Sequence, residues 1–286
     1  MATSTVLVAT DLTPISDAAI ARGAGHAQAM GARLVVCHVI PDVIRSHPLL
    51  PSVRANETTM TADLERRAAE LVTEQVRRVA GLSPDDETVM IEVGNAEDEI
   101  VRIAEEQKPT MVVVGHKDGG TTAERVVRYA HGSVLVARAH AATKKVLVAT
   151  DFSEPSLLAL ATAKMLVETV GVEATLLHVM TPPSALLAAA TSPFGSPIVP
   201  ADANTLDRLR DLGSETLAGL AKTHRIQHHE QVEGDAVSTI VARAKALDAE
   251  MIIMGSRGHT GLARLVLGST AERVVHSAPC SVLIAR

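Results

Sequence analysis

The chain has 286 residues, enough for two domains of ordinary size, and 47% of them are hydrophobic. Only three residues are aromatic and the formal net charge is −6, which argues against a protein that stacks bases or binds a nucleic-acid backbone. The two cysteines, Cys37 and Cys280, form no disulfide framework and favour a cytoplasmic location. The start lacks signal-peptide character, and no run reaches the ~18 apolar residues of a membrane span.

The first half of the chain alternates between strand and helix patterns. Apolar, β-branched runs predict strands at 6–9, 33–39, 88–93, 111–114 and 133–137. Helical periodicity and start signals predict helices at 14–30, 61–80, 96–106 and 121–129. Strict alternation of this kind predicts an α/β fold with a parallel sheet and helices on both faces.

The second half repeats the first. The segments VLVATDLTPIS at 6–16 and VLVATDFSEPS at 146–156 are identical at seven of eleven positions, at an offset of 140. The offset becomes 148 for TAERVV at 122–127 and 270–275. Two copies of one domain follow, which we place at 1–138 and 144–286. The second copy carries its apolar helix positions at Leu206, Leu209, Leu212, Leu217 and Leu220.

A glycine-rich loop in the second copy predicts a phosphate site. The buried strand 251–254 ends at Gly255, and Gly258, Gly261 and Gly268 follow it. Ser269 and Thr270 then begin a helix. Glycines let the backbone approach a phosphate closely, and a helix N-terminus favours negative charge. No lysine follows the last glycine, so this is not a Walker loop.

The spacing G-x2-G-x9-G-[ST] at Gly255, Gly258, Gly268 and Ser269 resembles the ATP-binding signature of the universal stress protein family. The VLVATD start and the HV pair at 178–179 also resemble that family, so the likeness covers nearly the whole chain. It implies two doubly wound, Rossmann-like domains of strand order 3-2-1-4-5. It also implies an ATP site in the second copy, with Mg2+ held through the phosphates. The implied nucleotide-binding residues are Ala149, Thr150, Asp151, Val179, Met254, Gly255, Arg257, Gly258, His259, Gly268, Ser269 and Thr270.

In the family, the aspartate after the first strand lies near ribose and phosphate, and Val179 matches a residue whose backbone contacts adenine. Asp151 and Asp11 could each simply cap the helix that follows, but together with the glycine loop we favour ligand contact for Asp151. Arg257, His259 and Arg264 could be ordinary solvated side chains, and Arg257 could equally be a loop cation near the phosphates. His38 and His178 are expected to be structural. The cluster of His224, His228, His229 and Glu230 is interpreted as solvated surface, and no metal site is predicted.

The resemblance implies an ATP-binding stress-response regulator with protein partners that the sequence does not identify. No catalytic residue is predicted, and hydrolysis, if it occurs, is slow. A second hypothesis, an adenylyltransferase or ATP pyrophosphatase, lacks the His-x-Gly-His and Ser-Gly-Gly-x-Asp-Ser motifs of those enzymes. A third is a nucleotide-independent interaction or ligand-carrying protein. It draws on the long apolar connection at 181–200, which could form a lid or an exposed binding surface.

The first copy has a degenerate loop. Asp11, Val39, Gly115 and the pair Gly120-Thr121 are retained, but four residues, HKDG, stand where the second copy has twelve. Asp118 in that short turn would repel phosphate, and Lys117 would partly offset it. We therefore expect one ATP per chain, bound by the second copy. The near-identical strands 133–137 and 281–285 are expected to pair antiparallel as an intramolecular pseudo-dimer, with a homodimer also possible.

Overall fold

Strands and helices alternate along both halves of the chain. The structure is a computed structural model, and it describes residues 4–42, 57–83, 88–117, 119–181, 203–258 and 267–286, with the side chains of 57–61 and 203–205 left out. The chain divides into two units, unit 1 at Met1–Ala139 and unit 2 at His140–Arg286. The division falls inside the small-residue linker at 139–143.

Unit 1 contains five strands and four helices among its described residues. The strands are β1 (Thr5–Thr10), β2 (Arg33–Pro41), β3 (Val89–Gly94), β4 (Met111–Gly115) and β5 (Ser133–Ala137). The helices are α1 (Pro14–Met30), α2 (Glu57–Ala80), α3 (Ala96–Gln107) and α4 (Thr122–Tyr129). The order is the one that the sequence predicts, and every bound lies within two residues of the predicted one except the start of α2, which comes four residues earlier.

Unit 2 repeats this series. Its strands are β6 (Lys145–Thr150), β7 (Glu173–Met180), β8 (His228–Glu233), β9 (Met251–Gly255) and β10 (Ser281–Ala285). Its described helices are α5 (Glu154–Val170), α6 (Ala203–Thr223), α7 (Ala236–Ala246) and α8 (Ser269–Ser277). Each element therefore has a counterpart in unit 1.

Within each unit the strands form a parallel sheet. The order is β3-β2-β1-β4-β5 in unit 1 and β8-β7-β6-β9-β10 in unit 2. This is the doubly wound order 3-2-1-4-5, so the predicted fold class is confirmed. In such a sheet the first and fourth strands are neighbours, and their carboxyl ends flank the crevice where ligands bind.

Local sequence explains where the helices begin and end. Pro14 and Pro155 lie in the first turns of α1 and α5, where a missing N–H costs nothing. Both helices end at a glycine with positive φ, Gly31 (59°) and Gly171 (71°), a conformation that glycine adopts without strain. Asn95 caps α3 by accepting hydrogen bonds from the N–H groups of Glu97 and Asp98.

The two long helices pack on their sheets through only part of their apolar stripe. In α6, Leu217 is buried, whereas Leu209 and Leu212 are 53% and 60% exposed. In α2, Val72 and Val76 are fully buried while Leu64 is half exposed. Helical spacing predicts which face is apolar, but it does not predict how far along that face the sheet extends.

Some predicted features lie outside the described residues. They are His259, Gly261 and Arg264 of the glycine loop, Asp118 of the short turn in unit 1, and the apolar connection after Thr181. Among the helices that the structure describes, none is long and apolar enough to cross a membrane.

Candidate functional site

Unit 2 contains a cavity of about 330 Å³ at the carboxyl ends of β6, β7 and β9. Its volume lies at the lower end of the range of small-molecule sites, roughly 300–1,000 Å³. The walls come from three strands, the N-terminal parts of α5, α7 and α8, and both ends of the glycine loop. The lining residues are Ala149, Thr150, Asp151, Ser156, Leu177, Val179, Ala236, Ile240, Met254, Gly255, Arg257, Gly258, Gly268, Ser269, Thr270 and Ala271.

The turn after β6 holds Asp151 at the mouth of the cavity. Asp151 Oδ1 accepts hydrogen bonds from the backbone N–H and the hydroxyl of Ser153, so one carboxylate oxygen fixes the turn. Phe152 has a φ of 64°, unusual for a bulky residue, and its N–H donates to Thr150 Oγ1 at 3.1 Å. Leu12 repeats this strained turn in unit 1, with the same φ. Asp151 therefore fixes the turn before α5 and does not cap the helix itself, whose N-cap is Ser153, and Asp151 also lines the cavity.

One loop glycine brings the backbone close to that carboxylate, and a second ties the end of the loop to β9. A Cβ on Gly258 would overlap Asp151 Oδ2, so only glycine fits there without a shift. The N–H of Gly268 donates to the carbonyl of Ser256 at 2.8 Å, which ties the far end of the loop to the end of β9. The two ends of the loop therefore lie side by side, between the end of β9 and the N-terminus of α8.

Groups that carry positive charge line the α8 end of the cavity. The N–H groups of the first turn of α8 supply partial positive charge, and Arg257 adds a full charge among the lining residues. Burial lowers the pKa of Arg286 below its usual value, and the neighbouring charge of Arg257 lowers it further. The two guanidinium groups therefore lie close enough for one charge to act on the other, and of the two Arg257 is the one that lines the cavity.

The structure brings the predicted residues together. Every predicted nucleotide-binding residue lines the unit 2 cavity except His259, which lies outside the described residues. Sequence reasoning missed five other lining residues: Ser156, Leu177, Ala236, Ile240 and Ala271. Four of them have an identical residue in the first copy, at Ser16, Ala96, Ile100 and Ala123, and that repetition was an available signal.

Unit 1 has a smaller cavity at the corresponding place, about 140 Å³ in volume. Its lining residues include Ala9, Thr10, Asp11, Ile15, Ser16, Cys37, Val39, Ala96, Ile100, Gly115, Lys117, Gly120 and Thr122. Asp11 Oδ1 accepts hydrogen bonds from the N–H of Thr13 and from the hydroxyls of Thr13 and Ser16. Partial burial works to raise the pKa of Asp11, but these hydrogen bonds outweigh it and leave the pKa below its ordinary value.

A buried polar network stands beside the unit 1 cavity. The hydroxyl of Thr10 donates to Gln75 Oε1 at 2.7 Å, and Gln75 Nε2 donates to Asp17 Oδ1 at 2.8 Å. Asp17 also receives two hydrogen bonds from Arg78. Helices α1 and α2 are thereby joined through side chains. Asp17 corresponds to Leu157 in unit 2, so the same position there is apolar.

The thiol of Cys37 lies in the wall of the unit 1 cavity yet is fully buried, and burial raises its pKa to about 12. Because the thiolate is the reactive form, we expect Cys37 to resist iodoacetamide near neutral pH. Intact mass should show no adduct on the native protein and two on the unfolded protein, since Cys280 is buried as well. A rapid adduct that maps to Cys37 would contradict this account.

The candidate histidines have structural contacts. His178 Nδ1 lies 2.9 Å from the carbonyl oxygen of Thr150, and His38 Nδ1 lies 2.8 Å from that of Thr10. Each ring therefore donates from Nδ1 and ties the second strand of its unit to the end of the first. In the His-rich segment, the side chain of His228 is exposed, and its Nε2 lies 3.3 Å from Glu173 Oε1. Glu230 accepts a hydrogen bond from Arg243 Nε.

Comparison with known proteins agrees with the fold. A sequence model of the universal stress protein family matches the chain twice, at residues 3–138 and 142–286. A universal stress protein of Mycolicibacterium smegmatis is 26% identical over 98% of this chain and 96% of its own length. One from Methanocaldococcus jannaschii is 32% identical over half of this chain and 82% of its own length.

A solved structure is also similar along the full length. The crystal structure of a universal stress protein from Archaeoglobus fulgidus has a TM-score of 0.67 and 21% identity, and the match covers 100% of this chain and 99% of that one. A functionally unknown protein from Pseudomonas aeruginosa has a TM-score of 0.58 and 17% identity, covering 99% and 92%. At these identities the likeness establishes the fold.

Proposed function

Because this chain belongs to the universal stress protein family and carries two copies of its domain, we propose that unit 2 binds ATP and that nucleotide occupancy regulates a stress response. The protein acts in the cytoplasm, in keeping with its two free, buried cysteines. The single observation that carries the proposal is the convergence of Asp151, Gly258 and Gly268 on one cavity in front of α8.

The two ends of the unit 2 cavity suit the two ends of a nucleotide. Val179, Ala236 and Ile240 offer an apolar slot for adenine. At the other end, the glycine backbone, Arg257 and the first turn of α8 offer N–H donors and positive charge for phosphates. Asp151 lies between these ends, in reach of a ribose hydroxyl. The proposed pose places the triphosphate at α8 and the base against α7.

Mg2+ accompanies the nucleotide in this proposal. The ion prefers oxygen ligands and keeps several waters, so it needs few protein groups. Asp151 supplies a carboxylate among the described lining residues, which fits an ion held largely by phosphate oxygens and water. Fast phosphoryl transfer is not part of the proposal. The hydroxyls of Ser156, Ser269 and Thr270 have no histidine or lysine beside them among the described lining residues.

Native mass spectrometry tests the proposal. The purified chain, alone and after addition of ATP with Mg2+, should show a mass increase of one adenine nucleotide, and the increase should vanish on denaturation. A chain that carries no nucleotide and takes up none would favour the nucleotide-independent carrier instead. A covalently retained mass would point to a modification and would also count against the proposal.

A further inference from the structure

One imidazole contacts both residues that flank Asp151. His178 lies on β7 directly opposite Thr150 of β6 in the parallel register. Its Nδ1 lies 2.9 Å from the carbonyl oxygen of Thr150, and its ring stacks on that of Phe152, with the centroids 4.2 Å apart and the planes tilted by 31°. Because a carbonyl oxygen can only accept, Nδ1 carries the proton of this bond. The turn that contains Asp151 is therefore held on both sides of that residue.

These contacts support a backbone conformation that bulky residues rarely adopt. Phe152 has a φ of 64°, in the left-handed region. A residue keeps such a conformation only where its surroundings hold it. The N–H of Phe152 donates to Thr150 Oγ1, and His178 adds the bond to the carbonyl and the contact between the rings. The direction in which the side chain of Asp151 leaves the turn thus depends on His178.

His178 acts from outside the unit 2 cavity. Side chains alternate between the two faces of a strand, and the next residue along β7, Val179, lines the cavity. Thr150 and Asp151 also line it, whereas His178 is absent from the described lining residues. Any effect of the imidazole on a ligand in unit 2 therefore passes through the turn that it holds.

The carboxylate of Asp151 has little freedom once this turn is fixed. Its Oδ1 accepts hydrogen bonds from the N–H and the hydroxyl of Ser153. Its Oδ2 faces Gly258 so closely that a Cβ on this glycine would overlap it. A group that is fixed in advance loses less conformational entropy when it binds a ligand. The same rigidity means that a change in the turn moves the carboxylate away from the ligand.

Unit 1 contains the same backbone bond without the ring contact. His38 Nδ1 lies 2.8 Å from the carbonyl oxygen of Thr10, and Leu12 has the same φ of 64°. Leu12 stands where unit 2 has Phe152, so the residue at this position has no ring to stack on the imidazole. The aromatic contact thus belongs to the unit that has the long glycine loop, and His38 is a matched position for a control.

We propose that His178 is a positioning residue of the unit 2 site, which holds Asp151 against the ribose and so determines how strongly the site prefers a nucleotide with ribose hydroxyls. This inference rests on the proposed function, because it takes the contact between Asp151 and the sugar from the proposed ATP pose. A hydrogen bond from a hydroxyl to a carboxylate is strong and depends on distance and angle. Without the imidazole, the sugar contact is lost while the contacts to base and phosphates remain.

A comparison of ATP with 2′,3′-dideoxy-ATP tests this role, since the two nucleotides differ only in the sugar hydroxyls. Calorimetry with Mg2+ on the full chain gives both affinities, and their ratio is the preference for ATP. We expect the wild-type protein to prefer ATP at least about tenfold, which corresponds to about 1.4 kcal/mol. In His178→Leu, which removes the donor and keeps an apolar side chain, the ratio should fall to about two or less.

Three further variants separate positioning from a general loss of structure. His178→Asn, whose amide can donate from the place of Nδ1, should recover part of the preference that His178→Leu loses. His38→Leu makes the same change at the equivalent bond of unit 1 and should leave the preference as in the wild type. In Asp151→Ala the preference should already be lost, and adding His178→Leu should not reduce it further. Circular dichroism checks that each variant is folded.

Failure of this inference is distinct from failure of the proposed function. If the wild-type protein binds both nucleotides equally, or if His178→Leu weakens both by the same factor, His178 does not position Asp151 at the sugar and the ATP site stands. The inference is also overturned if His178→Asn recovers nothing, or if His38→Leu loses as much preference as His178→Leu. If the wild-type protein binds neither nucleotide, the proposed function fails together with the inference.

Discussion

Replacing Gly268 by tryptophan is expected to abolish measurable ATP binding by unit 2. A Cβ at this position would lie 3.3 Å from Arg257 Cα and 3.4 Å from the carbonyl oxygen of Ser256, so even a small side chain is crowded by backbone. An indole would fill the space in front of α8. Each lost hydrogen bond to a charged phosphate costs about 1.5–3 kcal/mol. Two such losses weaken binding at least about 100-fold.

Gly120→Trp is the matched control. Gly120 precedes Thr121 as Gly268 precedes Ser269, and a Cβ there would lie 3.1 Å from the carbonyl oxygen of Lys117. The two variants therefore introduce the same bulk at equally tight positions, one in each unit. Calorimetry should show ATP binding retained in Gly120→Trp and lost in Gly268→Trp. Equal affinity in both folded variants would disprove the assigned phosphate loop.

Gly255→Ala is expected to lower the free energy of unfolding of unit 2. Gly255 ends β9 beneath the start of α5, and a Cβ would lie 2.7 Å from the carbonyl oxygen of Pro155 and 2.9 Å from the nitrogen of Ser156. These are backbone atoms, so α5 would have to move as a whole. Overpacking of this kind costs about 1–3 kcal/mol. The unfolding temperature should fall by roughly 2–4 °C per kcal/mol.

Gly115→Ala provides the comparison within the same chain. Its Cβ would lie 3.4 Å from the carbonyl oxygen of Ile15, an ordinary contact, because α1 begins slightly farther from β4. Thermal unfolding followed by circular dichroism should show a smaller decrease for this variant than for Gly255→Ala. An equally large decrease in unfolding temperature for Gly115→Ala would contradict this difference in backbone spacing between the two strand ends.

Much of the fold can be predicted from the sequence because the chain contains two copies of one domain. The repeated VLVATD segment, the alternation of patterns and the change of offset from 140 to 148 define both copies and the shortened loop. The resemblance then supplies the strand order, which periodicity alone cannot give. Carboxyl ends of adjacent parallel strands lie side by side, so Asp151 and the glycine loop were expected to meet at one crevice, and they do.

In unit 1 the hydroxyl of Thr121 donates a hydrogen bond to Glu97, a contact that was not predicted. The two residues are 24 positions apart on different helices, and neither belongs to the motif that defines the loop. Charge repulsion in unit 1 was instead assigned to Asp118, which lies outside the described residues. A direct comparison of Glu97 with Val237 across the repeat would have shown an added carboxylate. Its partner becomes clear only when α3 and α4 are placed side by side.

The apolar pattern of α6 shows a different limit of what the sequence predicts about burial. Five leucines at helical spacing indicate one apolar face, yet Leu209 and Leu212 are exposed and Leu217 is buried. Hydrophobic spacing gives the angle of a face around the helix, and burial depends also on position along the axis. Only the part of α6 that lies over β8 and β7 has a partner surface within the described residues of unit 2.

The central claim is that the intact chain binds one ATP, in unit 2. Isothermal titration of ATP with Mg2+ into the full-length protein measures this directly. We expect a molar ratio near one, because four residues replace twelve in the glycine loop of unit 1 and leave fewer backbone N–H donors for a triphosphate. A ratio near two would show that unit 1 binds ATP as well and would contradict the division of roles between the two copies.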